Sequence, residues 1–325
     1  MSTVLLPAFR AHAARAQSSS FSEVAVSRRL DRLTSQAASV DGVMMAWPDL
    51  CSLLTSLYQT AERHDWTALV RSHPVAQLAW NDPFTAWSYQ KPRGYPGDPR
   101  LIDFAYGHPS VQEYLDEATP VGRDVYLFLS GSQAVVAVRE RRHLLARLID
   151  DAVERLDSPD VLAIAPGHLR EVEYARRARE IRRFVAFDQY KESLDELRSS
   201  HAQLRNIETI EAGFSSLLLN PERYGHFDFI YTAGLYDYLN LRTATRLTGA
   251  LFRALKPGGR LLFANFSTGI NECGYLSMMM DWPLVLRGEA EMRAMLDNVL
   301  PDELERVSVF RGNNNAIIYV LLVRR

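Results

Sequence analysis

At 325 residues the chain is longer than one core usually serves, so two domains, or one domain with a large extension, are expected. Its 47% apolar and 23% charged residues suit a soluble globular protein with a core of normal size. A net charge of −2 without any long basic run excludes nucleic acid as the main partner, because neutralising phosphates takes clustered Lys and Arg.

The chain opens on a short apolar patch, Val4-Leu5-Leu6, that precedes the first basic residues and is too short for a secretory leader. Cys51 and Cys273 are too few and too far apart for a disulfide framework or a zinc site. No apolar run approaches the ~20 residues that cross a bilayer. These features predict a reducing cytoplasm, no membrane span and no metal. Residues 22–40 and 49–65 read as amphipathic helices, followed by shorter helical pieces at 66–72 and 75–80. Pro74, Pro83, Pro92, Pro96 and Pro99 then interrupt the pattern. A long helical stretch at 121–156 places Val135, Val138, Leu145, Leu148, Ile149 and Val153 on or near one face. Within it, Arg139-Glu140-Arg141-Arg142-His143 reads as a solvated face.

After Ser158-Pro159-Asp160 the period changes. Short apolar runs at 161–165, 184–187, 207–210, 227–232 and 260–266 alternate with amphipathic or connecting segments, including helices to 179, to about 200 and over 241–254. Continuous apolar strands separated by helices predict a parallel sheet covered on both faces. An irregular and helical insertion then runs to 300. The last two runs, 305–311 and 316–323, are joined by Gly312-Asn313-Asn314-Asn315 and read as a hairpin, which adds one antiparallel strand. The domains expected are therefore a helical extension over 1–158 and an α/β domain over 159–325.

A parallel sheet binds nucleotides at the carboxyl ends of its strands, near the point where strand order reverses. The first strand ends in Ala165-Pro166-Gly167-His168, before a predicted helix with free N–H groups. Twenty-one residues beyond Gly167, Asp188 closes the second strand, where a carboxylate can accept both ribose hydroxyls of an adenosine or cap the helix that follows. The fourth strand ends in Thr232-Ala233-Gly234-Leu235-Tyr236-Asp237-Tyr238, and Leu255-Lys256-Pro257-Gly258-Gly259 forms a tight turn before the fifth.

The phrases Ala165-Pro166-Gly167-His168-Leu169-Arg170-Glu171, Tyr231–Leu239 and Met280-Asp281-Trp282-Pro283-Leu284, and the order of elements around them, resemble class I methyltransferases that use S-adenosylmethionine (SAM). They most resemble the bacterial family of 3-hydroxypalmitic acid methyl ester biosynthesis, a quorum-signal role, and Lys91-Pro92-Arg93-Gly94-Tyr95-Pro96-Gly97-Asp98 is similar to a segment before that family's core. The resemblance covers roughly residues 89–325. It implies a Rossmann-like seven-stranded sheet with an N-terminal helical cap. It also implies SAM as cofactor, held by Ala165, Gly167, Asp188, Gln189, Gly213, Phe214, Thr232 and Gly234. Phe214 either stacks on the adenine or is plain core. Where the family more usually has Cys before the glycine and a small residue two after it, this chain has Pro166 and Leu169, and Pro166 lacks a backbone N–H.

The proline- and glycine-rich segment 91–98 reads either as a connector with Arg93 in a surface ion pair, or as a lid over the cofactor mouth. In the second reading Arg93 or Lys91 pairs with a carboxylate and Tyr95 closes the methyl-transfer chamber. Arg93, Tyr95 and Tyr236 are the catalytic candidates. Lys91, Tyr238, Asn265, Met279 and Trp282 are the acceptor-binding candidates; the tyrosines and Asn265 either wall the chamber or only pack, and the methionine cluster is either core or the lining of an apolar pocket. No compelling general base stands out, with Asp237 and Asp98 as candidates, which favours a carboxylate acceptor that is already ionised. The expected function is methyl transfer to a small, partly apolar acceptor to give a methyl ester, by a monomer or homodimer. The alternatives are N-, O- or S-methylation of another secondary metabolite, or SAM binding without transfer.

Overall fold

The computed structural model describes residues 21–39, 41–60 and 64–325; the patch at Val4-Leu5-Leu6 lies outside them. The chain forms two compact units. One comprises the described residues up to Gln90 with Tyr114–Leu129 and Asn271–Trp282; the other comprises Lys91–Glu113, Ser130–Ile270 and Pro283–Arg325.

The first unit is helical. Its helices are α1 (Glu23–Ala37), α2 (Gly42–Gln59), α3 (Thr67–Ser72), α4 (Pro74–Ala79) and α5 (Pro83–Gln90). Three of the prolines that interrupt the sequence pattern, Pro74, Pro83 and Pro99, are first residues of helices, where the missing N–H has no intrahelical partner to lose. The helix expected at 49–65 begins earlier, at Gly42, and runs through Pro48.

The second unit holds α6 (Pro99–Tyr106). After it come α7 (Gln112–Glu117) and α8 (Pro120–Ser130), which reach or cross the boundaries between the units, and then α9 (Gln133–Arg155). The single stretch predicted at 121–156 is thus two helices, separated at Gly131-Ser132, with the Ser132 hydroxyl capping α9. The strands are β1 (Asp160–Ile164), β2 (Arg183–Asp188), β3 (Ile207–Glu211), β4 (Phe227–Thr232), β5 (Leu255–Phe266), β6 (Leu304–Arg311) and β7 (Ile317–Arg324). Helices α10 (Lys191–Ser200), α11 (Ser215–Leu219) and α12 (Leu241–Arg253) connect them, followed by α13 (Cys273–Met278) in the first unit and α14 (Glu289–Ala294) in the second.

The seven strands form one sheet in the order β3-β2-β1-β4-β5-β7-β6. All neighbours are parallel except β7, which is antiparallel to both β5 and β6, as the terminal hairpin predicted. This is the Rossmann-like α/β fold with a seven-stranded methyltransferase-type sheet. Every residue of β1 is buried, which explains its unbroken apolar run. One face packs Leu162, Ile164, Val185, Ile230 and Phe263 against Leu247, Leu251 and Phe252 of α12. Strand order reverses between β1 and β4, and in parallel sheets the carboxyl ends beside such a reversal are where ligands bind.

One expectation fails near that reversal. The β1–β2 connection has no α-helix, only two 3-10 turns at Arg170–Glu173 and Ala178–Glu180. Ala165, Gly167 and Leu169 take positive φ of 49°, 58° and 54°, which a helix cannot accommodate. Side chains replace helical hydrogen bonds: the Asp150 carboxylate on α9 accepts from the Arg176 and Arg177 N–H groups at 3.2 and 2.9 Å. No helix among the described residues is long and apolar enough to cross a membrane.

Candidate functional site

The residues singled out after β1, β2 and β4 converge on the carboxyl edge of the second unit's sheet. Ala165, just past β1, donates its N–H to the Phe187 carbonyl at 2.8 Å, which ties the glycine turn to β2. A Cβ added at Gly167 would stand 3.1 Å from two ring atoms of Pro99, so both its φ of 58° and the close approach favour glycine there. Asp188 is buried and accepts from the Tyr190 N–H at 3.0 Å in a local turn. It does not cap α10, whose preceding residue is Tyr190. Burial pushes the Asp188 carboxyl up, against backbone N–H groups of Tyr190, Gln189 and Gly167 that favour its ionised form. Gln189 beside it is exposed.

Past β3, Gly213 and Phe214 are half-buried, and Phe214 packs against the sheet core. Past β4, a Cβ on Gly234 would meet nothing within 4 Å, so this turn faces open space. The neighbouring Thr232 hydroxyl is buried without a hydrogen-bond partner.

Segment 91–98 lies over these ends. Asp98 caps α6 by accepting from the Arg100 N–H at 2.8 Å, and Pro99 follows as the first helical residue, seated on Gly167. The Tyr95 ring stacks on Tyr190 with centroids 3.8 Å apart and planes 3° from parallel. Its hydroxyl is buried without a partner, and burial raises its pKa. Arg93 places Nε 3.9 Å from Asp98 and Nη1 3.4 Å from Nε2 of His168. Lys91, at φ 48°, begins the turn. The segment therefore touches the ends of both β1 and β2.

Beneath it lies an ion network that sequence reading missed. Asp103 of α6 accepts from both Nε and Nη2 of Arg170 at 2.9 Å and from Nδ1 of His168 at 2.8 Å. His168 is thus held at both ring nitrogens, Nδ1 against Asp103 and Nε2 against Arg93. Burial alone would raise the Asp103 carboxyl, but His168 and Arg170 outweigh it and hold it well below the usual carboxylate range. Asp103, His168 and Glu196 lie close enough to share a metal ion, but the Arg170 guanidinium already occupies both Asp103 oxygens. No local sequence signal links residues 103 and 168; the fold does.

Other candidates turn inward. Tyr236 is fully buried, with its hydroxyl 2.8 Å from that of Thr248, so it packs the core and does not wall a chamber. Asn265 is also buried, donating to the Phe266 and Val285 carbonyls at 2.9 and 2.7 Å and accepting from Arg287, so it holds loops and is closed to an acceptor. Tyr238 is exposed. Met279 and Trp282 belong to the first unit and are buried in it, where the Met279 carbonyl accepts from the Trp80 indole at 3.0 Å; of the two readings the core one describes them. Asp237 accepts from the Phe266 N–H at 2.7 Å, and burial pushes its carboxyl up to about 7 despite that bond and the nearby Arg141 and Arg287.

The solvated-face reading of 139–143 is overturned for two of its residues. Arg141 and Arg142 are only 6% and 5% exposed. Their helical phase could have shown this, because they stand three and four residues after Val138 and before Leu145, on the apolar face.

No family model matches the chain, and no curated protein matches it. Similar solved structures include a possible exported protein from Bordetella parapertussis, 18% identical over 77% of this chain and 96% of that one, with a TM-score of 0.52. Another is the N-methyltransferase NodS from Bradyrhizobium japonicum in complex with S-adenosyl-L-homocysteine, 15% identical over 68% of this chain and 99% of that one, TM-score 0.42. A third is magnesium protoporphyrin IX methyltransferase from Synechocystis with bound SAM, 11% identical over 71% and 99%, TM-score 0.43. The likeness is one of fold.

Proposed function

We propose that this chain is a SAM-dependent methyltransferase whose acceptor is a small, partly apolar carboxylate, which leaves as a methyl ester. The observation that carries the reading is the placement of Gly167, Asp188 and Gly234 at the ends of the adjacent strands β1, β2 and β4, around the reversal of strand order. The residues fit the cofactor: Asp188 offers a buried carboxylate for ribose hydroxyls, Gly234 leaves open space, and the Thr232 hydroxyl is an unspent hydrogen-bonding group.

When bound, SAM supplies an electrophilic methyl group on a sulfonium. The chain's part is to orient and to exclude water, because in-line transfer depends chiefly on alignment. Asp188, Gln189, Gly213 and Phe214 would hold the adenosine, with Ala165, Gly167, Thr232 and Gly234 nearer the methionine end. Segment 91–98 would act as the lid, with Tyr95 and Arg93 over the mouth and Lys91 and Tyr238 toward the acceptor. A carboxylate acceptor agrees with the titratable groups near these ends: His168 is committed to Asp103 and Arg93, Asp98 caps α6, and Asp237 is buried against Phe266. An ionised carboxylate needs no proton removed. The resemblance to methyl ester synthesis in the quorum-signal family supports the same acceptor class.

Calorimetry with SAM and S-adenosylhomocysteine tests the cofactor. Incubating labelled SAM with fatty, hydroxy-fatty and amino-acid pools tests the transfer. Label released by mild base is expected, whereas label confined to base-stable products would remove the methyl ester reading.

A further inference from the structure

Two adjacent buried arginines on α9 lack the partner that buried cations require. Neither Arg141 nor Arg142 makes an ion pair within 4.0 Å among the described residues. Arg142 is held between the rings of Tyr106 and Tyr174, 4.4 and 4.3 Å from their centroids. Arg141 donates from Nη1 to the Ala233 carbonyl, immediately past β4, and its Nε is buried without a partner. A carbonyl dipole and aromatic faces do not offset the burial of a full guanidinium charge; a carboxylate or equivalent anion does.

Two buried acids, Glu171 and Asp237, feel the Arg141 charge from beyond ion-pair distance, and each accepts from another donor: Glu171 from the Tyr231 hydroxyl at 2.6 Å and Asp237 from the Phe266 N–H. Glu140 accepts from the Asn313 N–H at 3.0 Å. Two phenols complete the surroundings. Tyr106 feels the charge of Arg141 and packs its ring on Arg142, and Tyr319 on β7, beside Ala264 near the carboxyl end of β5, has a buried hydroxyl without a partner and feels the charge of Arg141.

We propose that Arg141, with the hydroxyls of Tyr106 and Tyr319, is a receptor for a carboxylate at the carboxyl end of β4. A guanidinium fork flanked by phenol donors matches the planar, two-oxygen geometry of that group. The proposal rests on the methyltransferase reading for the origin of the ligand, and that reading supplies two sources. One is the methionine carboxylate of SAM, whose adenosine at Asp188 would direct its amino-acid end across Gly167 toward β4. The other is the carboxylate of the acceptor.

The test compares the full-length wild type with Arg141→Gln, Arg141→Lys and Tyr319→Phe. S-adenosylhomocysteine, methylthioadenosine (which lacks the amino acid) and octanoate serve as calorimetric probes. If Arg141 holds the methionine carboxylate, Arg141→Gln weakens S-adenosylhomocysteine at least tenfold and leaves methylthioadenosine within twofold, with Arg141→Lys in between. If it holds the acceptor, both nucleosides bind normally and octanoate binding to the loaded protein is lost. Equal weakening of both nucleosides, or no change for any probe, overturns the receptor. Should Arg141→Gln fail to fold, Tyr319→Phe decides, because an unchanged affinity for every carboxylate probe likewise overturns it. A wild type that binds neither nucleoside defeats the methyltransferase reading instead, and the receptor is then judged on octanoate alone.

Discussion

Asp188 is the residue on which the cofactor reading turns. It stands at the end of β2, buried, with acceptor capacity left after its local bond to Tyr190. Hydrogen bonds to a charged group contribute about 1.5–3 kcal/mol each. Asp188→Ala is therefore expected to weaken S-adenosylhomocysteine by about tenfold or more, and an affinity within twofold of wild type would remove Asp188 from the site. Arg93→Ala and Tyr95→Phe are expected to lower turnover without lowering thermal stability, since both side chains lie over the strand ends; unchanged kinetics in both variants would make segment 91–98 a connector. Asp103 is different in kind. It compensates buried His168 and Arg170, and removing one member of such a pair costs about 3–5 kcal/mol. Asp103→Asn is accordingly expected to lower the unfolding free energy by an amount of that order, read from denaturant melts.

At the scale of elements, the turn after β1 is held in an unfavourable backbone conformation. Ala165 is exposed at φ 49°, where a Cβ gains no packing and costs about 1–2 kcal/mol. Ala165→Gly is expected to stabilise by up to about 1 kcal/mol after the added flexibility of the unfolded chain is subtracted. A destabilised variant would show that the alanine methyl has a contact of its own. In the first unit, α13 approaches α2 through Gly274, whose added Cβ would come within 2.1 Å of the Leu54 backbone. Backbone cannot yield as a side chain does, so Gly274→Ala is expected to cost about 3 kcal/mol in thermal or denaturant unfolding. The elements themselves were legible where local pattern decides them. β4 runs over the residues predicted, because an apolar run between turn residues suffices to define a buried strand. The β1–β2 connection was not legible, because its partners Asp103, Asp150 and Tyr231 lie far away in sequence.

For the whole molecule, buried carboxyls set the pH dependence of stability, and Asp82, Asp237 and Asp103 are shifted furthest. Burial pushes Asp82 and Asp237 up to about 7. Each keeps its proton in the folded state while the unfolded chain releases it near the ordinary carboxylate range, so stability falls as pH rises from about 4 through 7. Asp103 acts in the opposite sense. Its depressed pKa contributes stability above the unfolded value, and this is lost as pH falls below it. Melting temperature is expected to peak on the acid side of neutrality, and Asp237→Asn should flatten the alkaline limb. An unchanged limb would place the titration elsewhere. The sequence by itself determined the seven strands, the glycines and the acid at their ends, and the terminal hairpin, because these follow from neighbouring residues and the period of the pattern. Tertiary structure alone decided that residues 271–282 pack with the N-terminal helices and that Tyr236 and Asn265 face the core. Each of those outcomes depends on which distant segment supplies a hydrogen bond, a ring or a charge, and that choice is made only when the chain closes on itself.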